Sequence, residues 1–218
     1  MSDQSKLFRN SDGSGVKQIL NPVEGISFQE NPLDFYILLA RYKFAARFLK
    51  KDMRVKDAGC GQGFGSVFLS RFCNSVLAVD FDQDLLDGNR QRYAWVPNIT
   101  FERQNLLDPN LEKNTFDALV SMDVIEHFEV EEQESLTSNF AASLKPKGFA
   151  VIGTPSVVSS PYASQRRKTS HIHEFEPQEF EEHLRRHFSN VFLFSMTDEN
   201  VSTSFVKLAW YLMAICTK

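Results

Sequence analysis

Apolar residues recur at helical spacing through Leu33, Tyr36, Ile37, Ala40, Phe44 and Phe48, a stripe that predicts an amphipathic helix over residues 32–50. Asn31-Pro32 supplies its N-cap and a first-turn proline. Beyond residue 50 the period changes. Short apolar runs at about 53–57, Ser75–Asp80, Ile99–Glu102, Phe116–Ser121 and Phe149–Thr154 read as strands, separated by helical stretches at 64–73, Asp84–Ala94 and Glu131–Leu144. That alternation predicts an α/β fold with a parallel sheet and helices on both faces. Lys145-Pro146-Lys147-Gly148 should stop the third of these helices in an exposed turn. Later, Glu176-Pro177 opens another helix, and Val191–Ser195 and Ala209–Cys216 fit two final strands.

Two segments stand outside this rhythm. Residues 1–15 carry Ser, Asp, Asn and Gly with few apolar side chains, so 1–30 is expected to be a flexible segment or flap ahead of a single domain over 31–218. Residues 155–176 form a connection rich in Ser, Pro and Arg. Connections longer than about 12–15 residues are functional or disordered, and the dense His171-Ile172-His173-Glu174-Phe175 end, together with Arg166 and Arg167, favours a functional lid.

Composition narrows the class. The 218 residues, 42% hydrophobic and 24% charged, suit one globular domain. A net charge of −4 gives no broad attraction to nucleic acid or an anionic membrane. Cys60, Cys73 and Cys216 are odd in number and lack C-x-x-C spacing, which points to reduced thiols. The polar start Met1–Asn10 lacks the apolar core of a signal peptide, and Leu208–Cys216 is too short to span a bilayer. The expectation is a cytoplasmic protein, monomer or homodimer, with no membrane or nucleic-acid partner.

The candidate chemistry begins at Val55–Gly65, V-K-D-A-G-C-G-Q-G-F-G. Glycines at this density allow a tight turn and close approach to a ligand. A dinucleotide loop needs G-x-G-x-x-G, yet Phe64 or Ser66 falls at the third glycine position, depending on the register. Asp57 would repel a pyrophosphate but welcome an ammonium group. Asp80 ends the second apolar run at about the 20-residue offset that a βαβ unit imposes.

Asp57-Ala58-Gly59-Cys60-Gly61-Gln62-Gly63 resembles the first motif of the class I S-adenosylmethionine-dependent methyltransferases, (D/E)-x-G-x-G-x-G. The resemblance implies a doubly wound, seven-stranded, mostly parallel Rossmann-like sheet with an antiparallel last strand, S-adenosylmethionine as cofactor and S-adenosylhomocysteine as product. It places the methionine part of the cofactor on Asp57, Gly59, Cys60, Gly61 and Gly63, and the ribose hydroxyls on Asp80. Phe81 and Asp82 take the adenine and ribose side, Asn105-Leu106 the place where relatives often carry an acid, and Met122 the end of the fourth strand. V-I-E-H at residues 124–127 and L-K-P-K-G at 144–148 are similar to two further family segments, with Lys147 where a glycine is usual. The C-terminal stretch is similar to uncharacterised methyltransferases of surface-polysaccharide gene clusters. Tyr36, Arg41 and Tyr42 are either cofactor contacts or core packing plus a solvated arginine.

Methyl transfer needs an acceptor held in line in a water-poor pocket, and a hydroxyl acceptor benefits from a base. His127, just past the fourth strand, is the first candidate. His171 and His173 follow from the lid and share a face if that piece is extended. Asp123, Glu126 and His127 fall on one side of a helical turn. With His171 or His173 they would make an oxygen and nitrogen site for Mg²⁺ or Mn²⁺, similar to the E-x-x-E-H site of small-RNA 2′-O-methyltransferases, although Asp123 replaces a Glu. The I-E-H segment also occurs in ubiquinone-biosynthesis methyltransferases, whose pattern requires no such metal, so the preferred reading has none. The expected function is methyl transfer to a small-molecule acceptor, a hydroxyl or amine of a sugar or related metabolite. The alternatives are a metal-assisted RNA ribose 2′-O-methyltransferase and a non-catalytic cofactor-binding module.

Overall fold

The computed structural model describes residues 32–203 and 206–218. The expected flexible segment 1–30 and the Asn31 cap lie outside the described residues. Helix α1 (Pro32–Ala46) comes first, followed by β1 (Arg54–Ala58), α2 (Phe64–Ser70), β2 (Ser75–Asp80), α3 (Gln83–Arg92), β3 (Ile99–Arg103) and β4 (Phe116–Met122). After β4 come a 3₁₀ turn (Ile125–His127), α4 (Val130–Ser143), β5 (Leu144–Pro155), a second 3₁₀ segment (Val157–Tyr162), α5 (Gln165–Ser170) and α6 (Pro177–Arg185). The chain ends with β6 (Asn190–Met196), the two-residue β7 (Val201–Ser202) and β8 (Tyr211–Thr217).

The strands form one sheet in the order β3-β2-β1-β4-β5-β8-β6-β7. β1 pairs in parallel with β2 on one side and β4 on the other, so the chain winds outward to β3 and then returns past its start. The carboxyl ends of β1 and β4 therefore flank the reversal of strand order, where an open α/β sheet leaves a crevice. β8 runs antiparallel between β5 and β6. The expected doubly wound sheet with its antiparallel last strand is present; it has eight strands rather than seven, because Val201–Ser202 adds a short edge strand to β6.

Side chains alternate across the sheet as the pleat requires. Val55, Val76, Ala78, Ala118, Val120 and Val151 pack in one layer with Tyr42 of α1, Leu69 of α2 and Leu86 of α3. Leu77, Val79, Leu119, Ala150 and Ile152 face the other way, against Leu136 and Phe140 of α4 and Phe180 and Leu184 of α6. Near-continuous apolar strands follow from this two-sided burial. α6 starts as its sequence predicts, with Pro177 at the first turn and a capping box between Glu176 and Glu179.

Two expectations are corrected. Lys145–Gly148 is not a free turn but the irregular start of β5: Leu144 pairs with Phe116, and the register shifts before Ala118 meets Phe149. Lys147 there has φ 68°, a left-handed backbone that a non-glycine residue adopts at a cost. The 155–176 connection is also ordered rather than loop throughout, with a 3₁₀ segment, α5 and a parallel bridge between Ser156 and Phe175.

Candidate functional site

Past Ala58 the backbone turns back on β2, where Gly59 N and Cys60 N both donate to the Val79 carbonyl at 2.9 and 2.8 Å. Gly59 has φ +79°, and a Cβ there would stand 2.3 Å from Val124 Cγ2. Gly61 has φ +49°, and a Cβ there would meet nothing within 4 Å. The first glycine is thus required by the fold and the second faces open space. Gly61 N donates to Asp80 Oδ2 at 2.8 Å, and Asp80 Oδ1 accepts from Asp82 N at 3.1 Å. The glycine loop is thereby latched to the end of β2. Asp82 itself caps α3, accepting from Asp84 N and Leu85 N.

A cleft of about 350 Å³ opens beside this loop, lined by Gly59, Gly61, Asp80, Phe81, Gln104, Asn105, Leu106, Asp123, Val124, His127 and Phe128. Cys60, Gly63 and Met122 are buried away from it. The Cys60 thiol bonds locally to the Gly61 carbonyl, Gly63 is packed against Tyr93, Phe101 and Asn89, and Met122 lies under Tyr211 and Gly153. Asp57 lies beneath the loop, fully buried, with Oδ2 accepting from Ser66 Oγ at 2.6 Å and Oδ1 lacking a partner among the described residues. Burial pushes its carboxyl up to about 7, against the lowering effect of the Ser66 bond. Asn105 lines the cleft, but its Oδ1 accepts from Leu107 N at 3.0 Å and is committed to its own turn. The neighbouring Gln104, which no motif singles out, has a buried Oε1 without a partner among the described residues while its Nε2 donates to Glu112. An open glycine approach, the Asp80 carboxylate, a free Gln acceptor and an unsatisfied buried acid fit a nucleoside carrying a cationic amino-acid tail.

A second cavity, of about 500 Å³, lies on the other side of Asp123 and His127, which line both. Asp123 has φ 56° and leaves β4 there, its N donating to the Gly153 carbonyl at 3.0 Å. Arg41 reaches it from α1 at 2.5 Å, with the guanidinium 3.6 Å from the Tyr211 ring centroid. Arg41 is therefore paired rather than solvated, and it lines the second cavity rather than the cleft beside the glycine loop. Tyr42 is core and Tyr36 is exposed.

His127 sits on the 3₁₀ turn and shares a 2.7 Å hydrogen bond between Nδ1 and the Ser170 carbonyl. A carbonyl only accepts, so Nδ1 carries the proton, and in the neutral ring Nε2 keeps its lone pair. His171 meets the His127 ring edge-on, centroids 4.9 Å apart, and its own Nδ1 contacts Glu174 Oε1 at 2.6 Å. Burial holds the His171 imidazole below its usual range, against the opposing pull of Glu174. Glu174 also accepts from Arg167 Nε at 2.6 Å, Arg167 Nη2 at 2.8 Å and Ser160 Oγ at 2.7 Å, gathering the 155–176 segment around one carboxylate. His173 points elsewhere: its Nε2 faces Glu179 at 3.2 Å and its ring packs on Phe175. The backbone curves there, so the two lid histidines do not share a face.

Asp123, Glu126 and His127 do not converge either. Asp123 turns to Arg41, whereas Glu126 is fully buried, with Oε2 accepting from Thr154 Oγ1 at 2.9 Å and Oε1 lacking a partner among the described residues. Burial, and then the Asp123 charge, raise the Glu126 carboxyl to about 8. Glu126, His127 and His171 nonetheless bring ligand atoms within 4.8 Å of one another.

Residues 55–148 match a family described as a methyltransferase domain. A probable S-adenosylmethionine-dependent methyltransferase of Mycobacterium tuberculosis is 29% identical over 117 residues, 54% of this chain and 40% of that protein. A ubiquinone biosynthesis O-methyltransferase of Rickettsia bellii is 29% identical over 134 residues, 60% of this chain and 53% of that protein. The chain thus matches about half or less of the length of these relatives. An S-adenosylmethionine-dependent methyltransferase structure from Thermotoga maritima superposes with a TM-score of 0.70 at 14% identity, over 90% of this chain and 95% of that one, a likeness of fold. No helix among the described residues is long and apolar enough to cross a membrane.

Proposed function

We propose that the chain is a class I S-adenosylmethionine-dependent methyltransferase, as its match to a methyltransferase domain and its relatives support, and that it methylates a hydroxyl of a small molecule held in the larger cavity, with His127 as the base. The observation that carries this reading is the shared wall: the cleft beside the glycine loop and the second cavity meet at Asp123 and His127. Bound S-adenosylmethionine supplies an electrophilic methyl group on a sulphonium. When the cofactor is bound, Asp80 would accept from the ribose hydroxyls, and Gln104 Oε1 would accept from the adenine amine. Asp57, beneath the loop, favours the cationic amino-acid end. His127 Nε2 takes the acceptor proton while Nδ1–H stays on the Ser170 carbonyl and fixes the ring. Such a base contributes about 10²–10⁴-fold, and orientation of the two reactants contributes more.

The 155–176 segment acts as the lid over the acceptor. A hydroxyl acceptor accords with the ubiquinone O-methyltransferase relative. The net charge of −4 and the pairing of Arg41 and Arg167 with carboxylates argue for a small molecule over an RNA strand. Free, buried cysteines suit a reducing cytoplasm.

One observation favours a second reading, in which Glu126, His127 and His171 would hold Mg²⁺ or Mn²⁺ to activate the acceptor: their ligand atoms cluster, and Glu126 Oε1 is unpartnered among the described residues. Transfer that is indifferent to chelator supports the metal-free base; loss in chelator, restored by Mn²⁺ or Mg²⁺, supports the metal. Calorimetry with S-adenosylhomocysteine tests the cofactor assignment. Binding should weaken at least tenfold in Asp80→Ala, and unchanged affinity would refute it.

A further inference from the structure

Tyr162 is 79% exposed and Trp210 is 52% exposed, yet both line the larger cavity. Their rings stack at 6.0 Å between centroids with 24° between planes, an offset contact that leaves much of each ring open to the cavity and solvent. The surface is held from behind. Trp210 N donates to the Met196 carbonyl at 2.9 Å, and the Trp210 carbonyl accepts from Ser156 N at 2.9 Å and Ser159 Oγ at 3.0 Å. Arg167 Nη2 in turn donates to Ser159 Oγ at 2.8 Å, so the network that orders the lid also fixes the platform. Large aromatics exposed on a fixed backbone at a pocket mouth mark a contact surface.

The rest of the cavity decides what the surface contacts. Its floor and sides include Ser164, Thr197 and Asp198, hydroxyl and carboxylate groups suited to a hydroxyl-rich molecule. Among the described residues, its guanidinium groups, Arg41 and Arg167, are already paired with Asp123 and Glu174. Neither is left to neutralise a phosphate or carboxylate.

We propose that Tyr162 and Trp210 form the acceptor platform of this site, stacking against the C–H face of a neutral saccharide whose hydroxyl edge turns toward His127. This rests on the methyl-transfer reading above. Trp95 and Trp210 are the two tryptophans of the chain, so Trp95→Phe leaves Trp210 as the sole tryptophan, read by exciting at the red edge where tyrosine does not absorb. That protein, saturated with S-adenosylhomocysteine, is titrated with neutral methyl glycosides of hexoses, 6-deoxyhexoses and N-acetylhexosamines, and with catechol and phosphoethanolamine as controls. A saturable emission change with a glycoside, weakened at least tenfold by Tyr162→Ala and stronger than with either control, is the expected result. Calorimetry of the same glycoside against Trp210→Ala should show the same loss. No emission change with any glycoside, tighter binding of a control, or an unaltered affinity in Tyr162→Ala overturns the platform. Failure of the protein to bind S-adenosylhomocysteine at all defeats the underlying reading instead.

Discussion

Arg41 and Asp123, 82 residues apart in the chain, meet at 2.5 Å on the wall between the two cavities. Their side chains are 16% and 32% exposed, so water screens the pair only in part. The ion pair ties α1 to the strand end that leads into the His127 turn, and its positive charge opposes the upward push of burial and Asp123 on the Glu126 carboxyl. Urea unfolding of Arg41→Met, Asp123→Asn and the double variant should show each single change costing about 1–3 kcal/mol and a coupling of about 1–2 kcal/mol. Additive losses would show that the two side chains do not stabilise one another.

Glu174 collects Arg167, His171 and Ser160, and charge-assisted bonds of this kind are worth about 1.5–3 kcal/mol each. Glu174→Gln should therefore raise hydrogen exchange across residues 157–176 by at least tenfold, with little change in the strands of the sheet. Equal exchange in the two proteins would mean that the segment is ordered by other contacts.

Much of the fold was legible because its strands are buried on both faces and separated by helical periods, a pattern that Val76–Val79 and Leu119–Val120 carry plainly. The glycine loop and Asp80 were legible for a chemical reason, since glycine spacing and a strand-ending acid report local backbone needs. Contacts between distant segments were not. Nothing near Arg41 in sequence announces Asp123 or Tyr211, and nothing near Gln104 announces that its amide oxygen lacks a partner among the described residues while its amide nitrogen is held by Glu112. Spacing alone misplaced His173, because the backbone between it and His171 curves toward α6.

Lys147 occupies a left-handed backbone, φ 68°, at an exposed position. A side chain costs roughly 1–2 kcal/mol there, partly offset by glycine's greater freedom in the unfolded chain. Lys147→Gly should stabilise the protein by about 1 kcal/mol in thermal or urea unfolding. A loss of stability would contradict the strain.

His183 of α6 is buried, its Nδ1 accepting from Arg186 Nη2 at 2.9 Å while Nε2 donates to Thr137 Oγ1 at 2.8 Å. Burial, against the opposing pull of Glu134, lowers its imidazole to about 4. An unfolded histidine takes its proton near pH 6.5, so between those values the unfolded chain binds more protons than the folded one. Stability contributed by neutral His183 is present above about pH 6.5 and is lost as pH falls toward 4, by on the order of 3 kcal/mol. Subtracting the unfolding free energies of His183→Gln from those of the wild type across this range should isolate that slope. A flat difference would show that His183 titrates alike in both states.

On the proposed reading, His127 works as a metal-free base between the cofactor cleft and the acceptor cavity. The most direct measurement is transfer of a labelled methyl group from S-adenosylmethionine to a neutral glycoside that binds the Trp210 platform, run with chelator and compared between wild type and His127→Ala. The account predicts incorporation that persists in chelator and falls by about 10²–10⁴-fold in the variant, with S-adenosylhomocysteine affinity retained. Full incorporation by His127→Ala, or loss in chelator that Mn²⁺ or Mg²⁺ restores, would contradict it.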